Sequence, residues 1–243
     1  MTPEKSSMDL ITWLRQLGSL LGAGVPLGRT LNTLAETGPD RLREATAAAL
    51  EAVMTCATLS DALTAWPDLF PRATVVVIRI GEVAGMLDEA VLVWAELLER
   101  AAQARATARR DELLWELAVR AGLVEEAGGT GVAWGDLEQA LLDVAFCRLL
   151  AMSLSAGVPP ERALAEVARL YPPDHPRAAA LAAPEPDAAL SEALRAAGFP
   201  ASVPAIVRSG EIVGQVDRFL DRAADMLEAE WDLRLAALYT APT

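Results

Sequence analysis

The chain has 243 residues, of which 53% are hydrophobic, and a formal net charge of −13. The hydrophobic content is enough to bury a core, so we do not expect disorder over most of the chain. The negative charge disfavours nucleic acid and anionic lipid surfaces as partners, because both require clustered Lys and Arg. Residues 111–243 hold 10 basic and 21 acidic side chains. This half would favour a basic partner, although a solvated acidic face is an equally good interpretation.

The cellular location is indicated by three observations. Cys56 and Cys147 lack metal-ligand spacing and predict no disulfide framework, which is typical of a reducing cytoplasm. The N-terminal stretch lacks the basic region and apolar core of a secretory signal. No stretch approaches the roughly 18–20 consecutive apolar residues of a membrane helix. We therefore expect a cytoplasmic protein without a membrane span of its own.

The beginning of the chain predicts four helices in succession. Leucines at helical spacing over Leu10–Leu21 predict the first, which glycines end. Pro26 opens a second helix in its first turn, and this helix extends over Pro26–Glu36. An alanine-rich third helix is predicted over 39–55. Thr58 can cap a short fourth helix, with Asp61 as the reciprocal partner in a weak capping box.

The next segment, ATVVVIRI, is rich in β-branched residues and by propensity alone would be a strand. Its counterpart later in the chain, ASVPAIVRS, contains Pro204. A central strand does not tolerate proline, whereas the first turn of a helix does. We therefore predict a fifth helix over 72–83, and a long sixth helix from Met86 to beyond Arg100.

The same sequence blocks occur twice in the same order. RQLGSLLGAGVPLGRTLNTLAE, from Arg15, matches CRLLAMSLSAGVPPERALAEVA, from Cys147, with Gly24-Val25-Pro26 on Gly157-Val158-Pro159. LSDAL matches LSEAL, and GEVAGMLDE, from Gly81, matches GEIVGQVDR, from Gly210. The offset between copies falls from 133 to 129 residues along the chain, so the loops shortened while the blocks were kept. This order and length indicate an internal duplication.

The duplication predicts an all-α fold of two tandem helical bundles with about six helices each. The bundles should occupy 1–110 and 136–243, joined by a charged helical and Gly-rich linker over 111–135. Glycines at 128, 129 and 131 predict a flexible break in this linker. The second copy is partly eroded, because its third helix falls in the proline-rich YPPDHPRAAALAAPEPD. We expect one or two helical turns there, within a mobile loop.

The sequence contains no convincing catalytic constellation. His175 is the only histidine and lies between prolines, the only lysine is Lys5, and no GxxxxGK loop occurs. We therefore predict no enzymatic activity, no cofactor and no catalytic or metal-binding residues.

Acidic residues accompany the repeated glycine blocks. Glu82 and Asp88 of the first copy match Glu211 and Asp217 of the second. Carboxylates beside a glycine turn could hold a hard cation. More often they cap the N-terminus of the following helix, where they complement its dipole, and we favour that interpretation.

These blocks resemble a known family. QLGSLLGAGVPLGRTLNTLAE, LSDAL, WPDLFP and GEVAGMLDEAV, in this order, resemble the cytoplasmic repeat of type II secretion F-proteins and type IV pilus PilC platform proteins. The resemblance covers 9–100 well and 136–235 more loosely. It implies two six-helix cytoplasmic domains in an inner-membrane platform on which an assembly ATPase acts. Where the family has a membrane span after the first repeat, this chain has the charged ARATARRDELLWELAVRAGLVEEAG, so we do not expect membrane embedding.

The leading hypothesis is a non-enzymatic cytoplasmic scaffold or adaptor of a secretion or pilus machine, held at the inner membrane only through partners. Expected partners are the assembly ATPase, other cytoplasmic platform components and a second copy in a homodimer, but no nucleic acid. The alternative is a free-standing soluble regulatory module that binds proteins. Such a module would have retained the fold of the family without being part of a secretion or pilus machine. The predicted partner-binding residues lie at the glycine blocks and at a tryptophan before proline: Trp66, Gly81, Glu82, Gly85, Asp88, Gly210, Glu211, Gly214 and Asp217.

Overall fold

The structure is a computed structural model that describes residues 3–120, 134–182 and 188–240. Every regular element in these ranges is helical, and they contain no strand, which confirms the all-α prediction. The helices are α1 Pro3–Gly22, α2 Leu27–Thr37, α3 Asp40–Met54, α4 Leu59–Leu63, α5 Arg72–Ala84, α6 Leu87–Arg120, α7 Trp134–Ser155, α8 Pro160–Val167, α9 Pro176–Ala182, α10 Leu190–Ala196, α11 Ser202–Val213 and α12 Val216–Thr240. A 3₁₀ turn, Ala168–Leu170, extends α8. None of the helices described is both long and apolar enough to cross a bilayer.

The β-branched segment is helical, as predicted, because its side chains fill the core. Val77 and Ile78 of α5 are completely buried. The hydroxyl oxygen of Thr74 accepts a hydrogen bond of 3.0 Å from Nε1 of Trp94 on α6, so the one polar side chain buried there is also satisfied. Burial on several sides of one short helix outweighs the modest intrinsic preference of these residues for strands.

The predicted helix starts need small corrections. Pro26 lies at the N-cap of α2, one residue before the first turn. Thr58 caps α4 as predicted, and its hydroxyl oxygen accepts the amide of Asp61 at 3.1 Å. The carboxylate of Asp61 pairs with Arg79 on α5, so α4 is tied to a distant helix as well as to its own cap.

The eroded part of the second copy contains the short helix that the sequence predicted. The seven-residue α9 stands where the first copy has the fifteen-residue α3. Residues 183–187, the rest of the predicted mobile loop, lie outside the described residues. The glycines at 128, 129 and 131 also lie outside them.

Glycines in the left-handed region end the helices that enter the tightest turns: Gly24, Gly85, Gly157 and Gly214. After Gly85, the amide of Met86 donates to the carbonyl of Gly81 at 2.9 Å. After Gly214, the amide of Gln215 donates to the carbonyl of Gly210 at the same distance. These bonds satisfy the last carbonyls of each helix and reverse the chain within two residues.

The two copies share their internal packing. The ring centroids of Trp13 and Phe70 lie 5.0 Å apart, and those of Phe146 and Phe199 lie 5.0 Å apart in the second copy. In each copy the first helix packs along the last, α1 on α6 and α7 on α12. The duplication is therefore present in three dimensions as well as in sequence.

The two copies also pack against each other within one continuous hydrophobic core. Helix α5 of the first copy contacts α7, α8 and the 3₁₀ turn of the second. Across this contact, Nη1 of Arg72 donates to the carbonyl oxygen of Tyr171 at 2.9 Å. Helix α6 continues to Arg120, into the predicted linker. The division into 1–110, 111–135 and 136–243 remains a prediction.

Substitution of Gly81 tests how closely α5 and α6 must approach. A Cβ atom at Gly81 would lie 2.8 Å from Cα of Leu87, so we expect Gly81→Ala to lower the free energy of unfolding by about 1–3 kcal/mol. Gly28, in the first turn of α2, has room for a methyl group. Gly28→Ala should leave stability unchanged or raise it by up to about 1 kcal/mol, because alanine is the better helix former. Urea unfolding followed by circular dichroism measures both, and equal effects would contradict the steric explanation.

Candidate functional site

The candidate site consists of two helix joints, which we call joint 1 (Gly81–Asp88) and joint 2 (Gly210–Asp217). Glycine is required at the start of each because two helices cross there at close range. A Cβ atom on Gly81 would lie 2.9 Å from Cβ of Ala90. One on Gly210 would lie 2.7 Å from Cβ of Phe219. Gly81 and Gly210 are therefore buried packing residues and not themselves contact surfaces.

The glutamate after each glycine caps a helix elsewhere in its own copy. The carboxylate of Glu82 accepts the amide of Leu59 at 2.6 Å and the hydroxyl of Ser60 at 2.6 Å. The carboxylate of Glu211 accepts the amide of Ser191 at 3.0 Å and its hydroxyl at 2.7 Å. These groups lie at the N-termini of α4 and α10, where unpaired amides and the helix dipole favour a negative charge.

The prediction that Glu82 and Glu211 cap the following helix is therefore wrong. Both residues lie in the last turn of their own helix, and helical side chains point back towards the N-terminus. This direction brings the carboxylates to the preceding short helices, α4 and α10. Which helix lies within reach depends on tertiary packing, which spacing along the sequence does not report.

Asp88 and Asp217 occupy the positions expected of dipole-complementing residues. They lie in the first turns of α6 and α12, and both are half-buried. Within 3–120, 134–182 and 188–240, no three or more His, Cys, Asp or Glu side chains gather as a metal site would require. The alternative of a cation between these carboxylates therefore gains no support from the described residues.

The surfaces of the two joints differ. Gly85 and Gly214 are exposed in both. In joint 2 the apolar residues between the glycines are also exposed, Ile212 by 79% and Val213 by 57%. Their counterparts in joint 1, Val83 and Ala84, are half-buried against the core. The sequence does not indicate that Ile212 and Val213 are exposed, because the two copies have identical spacing and nothing in it distinguishes the joint that has neighbours.

Trp66, the remaining predicted partner-binding residue, lies apart from both joints, between α4 and α5. Its ring packs against the core and is half-buried, so only part of it is accessible. Trp13, Trp94 and Trp231 are buried in the core.

A repeated ion pair joins the first and last helix of each copy. Arg15 pairs with Glu99 at 2.6 Å, and Arg148 pairs with Glu228 at 3.1 Å. The hydrogen bond from Arg15 lowers the pKa of the Glu99 carboxyl. In the second copy Arg148 also meets Asp225 and Asp221. There partial desolvation, together with the neighbouring carboxylates of Asp225 and Asp217, raises the pKa of Asp221 despite the nearby guanidinium, although the Asp221 side chain is about half exposed.

Three further side chains with reactive groups, Cys147, His175 and Tyr171, serve the structure. Burial raises the pKa of the Cys147 thiol to about 12, which keeps it protonated and unreactive. His175 stacks on Tyr171 with ring centroids 5.2 Å apart. The Tyr171 hydroxyl donates to the buried carboxylate of Asp143 at 2.9 Å, and Asp143 also pairs with Arg177. None of these contacts arranges a nucleophile beside a base.

Fold and site together define a class of protein: a duplicated all-α unit with two equivalent joints and a strongly acidic charge. The family model that describes protein F of the type II secretion system matches residues 13–113 and 146–239. Each stretch corresponds to one copy of the repeat, and together they cover most of the chain. The chain therefore belongs to this family, which confirms the resemblance found from its blocks. No curated protein matches the sequence.

Removal of the Glu82 carboxylate tests its role in capping. We expect Glu82→Ala to lower the free energy of unfolding by about 1–3 kcal/mol, because the amide of Leu59 and the hydroxyl of Ser60 lose their acceptor. Glu211→Ala should act in the same direction in the second copy. Glu51→Ala, at an exposed position on α3, should change stability by less than about 0.5 kcal/mol. Chemical unfolding measures all three, and a Glu82→Ala chain as stable as Glu51→Ala would exclude the cap.

The opposite pKa shifts of Glu99 and Asp221 predict opposite effects of neutralisation. The pKa of Glu99 is lowered on folding, so its charge stabilises the fold near neutral pH and this contribution is lost as pH falls through the folded pKa. Glu99→Gln should therefore cost a few tenths of a kcal/mol, up to about 1, at pH 7, since the pair is partly exposed to solvent. The pKa of Asp221 is raised, so Asp221→Asn should stabilise at pH 7, but by no more than a few tenths of a kcal/mol, because its side chain is 53% exposed to solvent.

Both differences should vanish in acid. The Asp221 difference should vanish below its unfolded pKa of about 3.9, because the carboxyl group is then protonated in both states. The Glu99 difference should vanish only when the pH also falls below the lowered folded pKa of Glu99. Unfolding free energies measured from about pH 3 to pH 7 provide the test. If both variants shift stability in the same direction at pH 7, the assigned causes of the pKa shifts are wrong.

Proposed function

We propose that this chain is a non-enzymatic scaffold of a type II secretion or type IV pilus machine. Members of its family are non-enzymatic components of the secretion platform. The observation that carries the proposal is that both copies keep the joint, its buried glycine and its capping glutamate. Because these contacts stabilise each copy from within, they preserve a rigid set of helical faces on which other proteins can bind.

The proposed partners are the assembly ATPase and other cytoplasmic components of the platform. The net charge of −13 favours partners with basic surfaces, through long-range steering and complementary contacts. We place the binding surfaces at the accessible parts of joints 1 and 2, around Gly85, Asp88, Gly214 and Asp217, with the exposed part of Trp66 as a further contact. The proposed location is the cytoplasmic face of the inner membrane, where the partners would hold the chain.

Co-purification from the native cells tests this proposal. The tagged full chain should recover the assembly ATPase or another named secretion or pilus component. The double variant Asp88→Asn with Asp217→Asn should reduce that recovery several-fold, because it removes one charge from each joint. The matched control is Glu44→Gln with Glu51→Gln, which removes two charges from exposed positions on α3. The control should bind like the unmodified chain.

Two outcomes would contradict the proposal. Recovery of no secretion or pilus component would remove the scaffold role. Recovery of a different, reproducible partner would favour the alternative of a regulatory protein-binding module. If both double variants weakened binding equally, the joints would not be the site, and net charge alone would explain the effect.

A further inference from the structure

The internal contact between the two copies has one helix as its centre. Arg72, Val76 and Ile80 of α5 are spaced by four residues and therefore form one stripe. Arg72 reaches the carbonyl oxygen of Tyr171 in the second copy, while Val76 and Ile80 are buried. The first copy thus uses an outer stripe of α5 to pack against α7, α8 and the 3₁₀ turn.

The same stripe on α11 has no covering neighbour among the described residues. Its members, which we call the α11 stripe, are Ala201, Ala205, Ser209, Ile212 and Val213. All five are exposed. In the first copy, by contrast, Val76 and Ile80, the counterparts of Ala205 and Ser209, are buried. These five side chains are small or apolar, and the exposed Arg208 flanks them within one turn of Ala205 and Ile212. Such a surface favours another protein surface over water.

The first copy has the corresponding receiving surface, and it is open. In the second copy Leu149, Ser153 and Leu170, the counterparts of Gln16, Leu20 and Thr37, are buried on α7 and the 3₁₀ turn, which receive α5. In the first copy these three residues line a groove of about 390 Å³ between α1 and α2. Leu20 is half-buried there and Thr37 is exposed. We call this surface the α1–α2 groove.

Gln16, which lines this groove, has a side-chain oxygen without a hydrogen-bond partner. Its Oε1 atom is buried and accepts no hydrogen bond from the described residues. On the α11 stripe, the hydroxyl of Ser209 donates to the carbonyl oxygen of Ala205 at 3.2 Å. A contact between the two surfaces therefore rests on shape and on the apolar side chains of the stripe, and not on a hydrogen bond to Gln16.

We propose that the α11 stripe of one copy of this chain docks in the α1–α2 groove of a second copy. The contact repeats between chains the packing that already joins α5 to the second copy within one chain. The two surfaces differ and lie on different repeats, so the association is head-to-tail and forms open chains or rings. The inference goes beyond the proposed function, because it requires no secretion component.

Sedimentation velocity of the purified full chain over a range of concentrations gives the first test. The mean mass should rise above the 25.8 kDa of one chain as concentration increases. Ala205→Arg in the stripe and Thr37→Arg in the groove should each weaken association at least about tenfold, because a long charged side chain enters the contact. Ala48→Arg, at an exposed alanine of α3, makes the same change of charge and should associate like the unmodified chain.

Circular dichroism and thermal unfolding should show that all three variants keep their fold, since each changes an exposed residue. Added salt should not weaken the association of the unmodified chain. Two chains with a charge of −13 repel each other, and screening reduces that repulsion. Dissociation by moderate salt would contradict an apolar contact.

Mixing the two defective variants gives the decisive test. The Ala205→Arg chain keeps an intact groove and the Thr37→Arg chain keeps an intact stripe. Their mixture should therefore form a complex of one copy of each, and it should grow no larger. A chain that stays at 25.8 kDa at every concentration would overturn the proposal. Absence of the mixed complex would also overturn it. If the Thr37→Arg chain associated as strongly as the unmodified chain, the groove would not be involved, and a two-fold contact between two stripes would be indicated.

Discussion

The close crossing of two helices at a glycine is the constraint on which each copy depends. At Gly81 and Gly210 the neighbouring helix approaches so closely that a methyl group would overlap it. This approach allows α5 and α11 to reverse within two residues into the last helix of each copy. It also fixes the position of the next residue, Glu82 or Glu211, whose carboxylate then reaches the amides that begin α4 or α10. One steric requirement thereby determines both a helix pair and a helix cap.

The conserved interior of the two copies contrasts with their different surroundings. The aromatic pair, the ion pair between first and last helices, and the capping glutamate recur with similar geometry. However, α5 lies between the copies, whereas α11 faces outward with Ile212 and Val213 exposed. In a tandem repeat, one surface of each copy packs against a different surface of the next copy. The first and last copies therefore each keep one of these two surfaces uncovered. Residues that are equivalent within a repeat can thus be core in one copy and surface in the other.

This arrangement is consistent with a protein that acts through surfaces. The titratable groups with the largest burial effects, Cys147 and Tyr171, are enclosed in the second copy. The charged networks around Arg15 and Arg148 fasten helices to each other. The accessible acidic and apolar residues lie on the outer faces of the helices. A platform protein needs rigid faces of this kind because its partners must bind in defined orientations.

The sequence by itself determined the helical class, the duplication, most helix positions and the family, because periodicity, glycine and proline positions and block order are local properties. Pro204 was enough to reject the strand at the β-branched segment. Only the tertiary structure decided that Glu82 caps α4, that the copies share one core, and that the apolar stripe of α11 is exposed. These features depend on which helices meet in space. Equivalent residues of the two repeats have the same local pattern, so the sequence cannot distinguish a covered position from an open one.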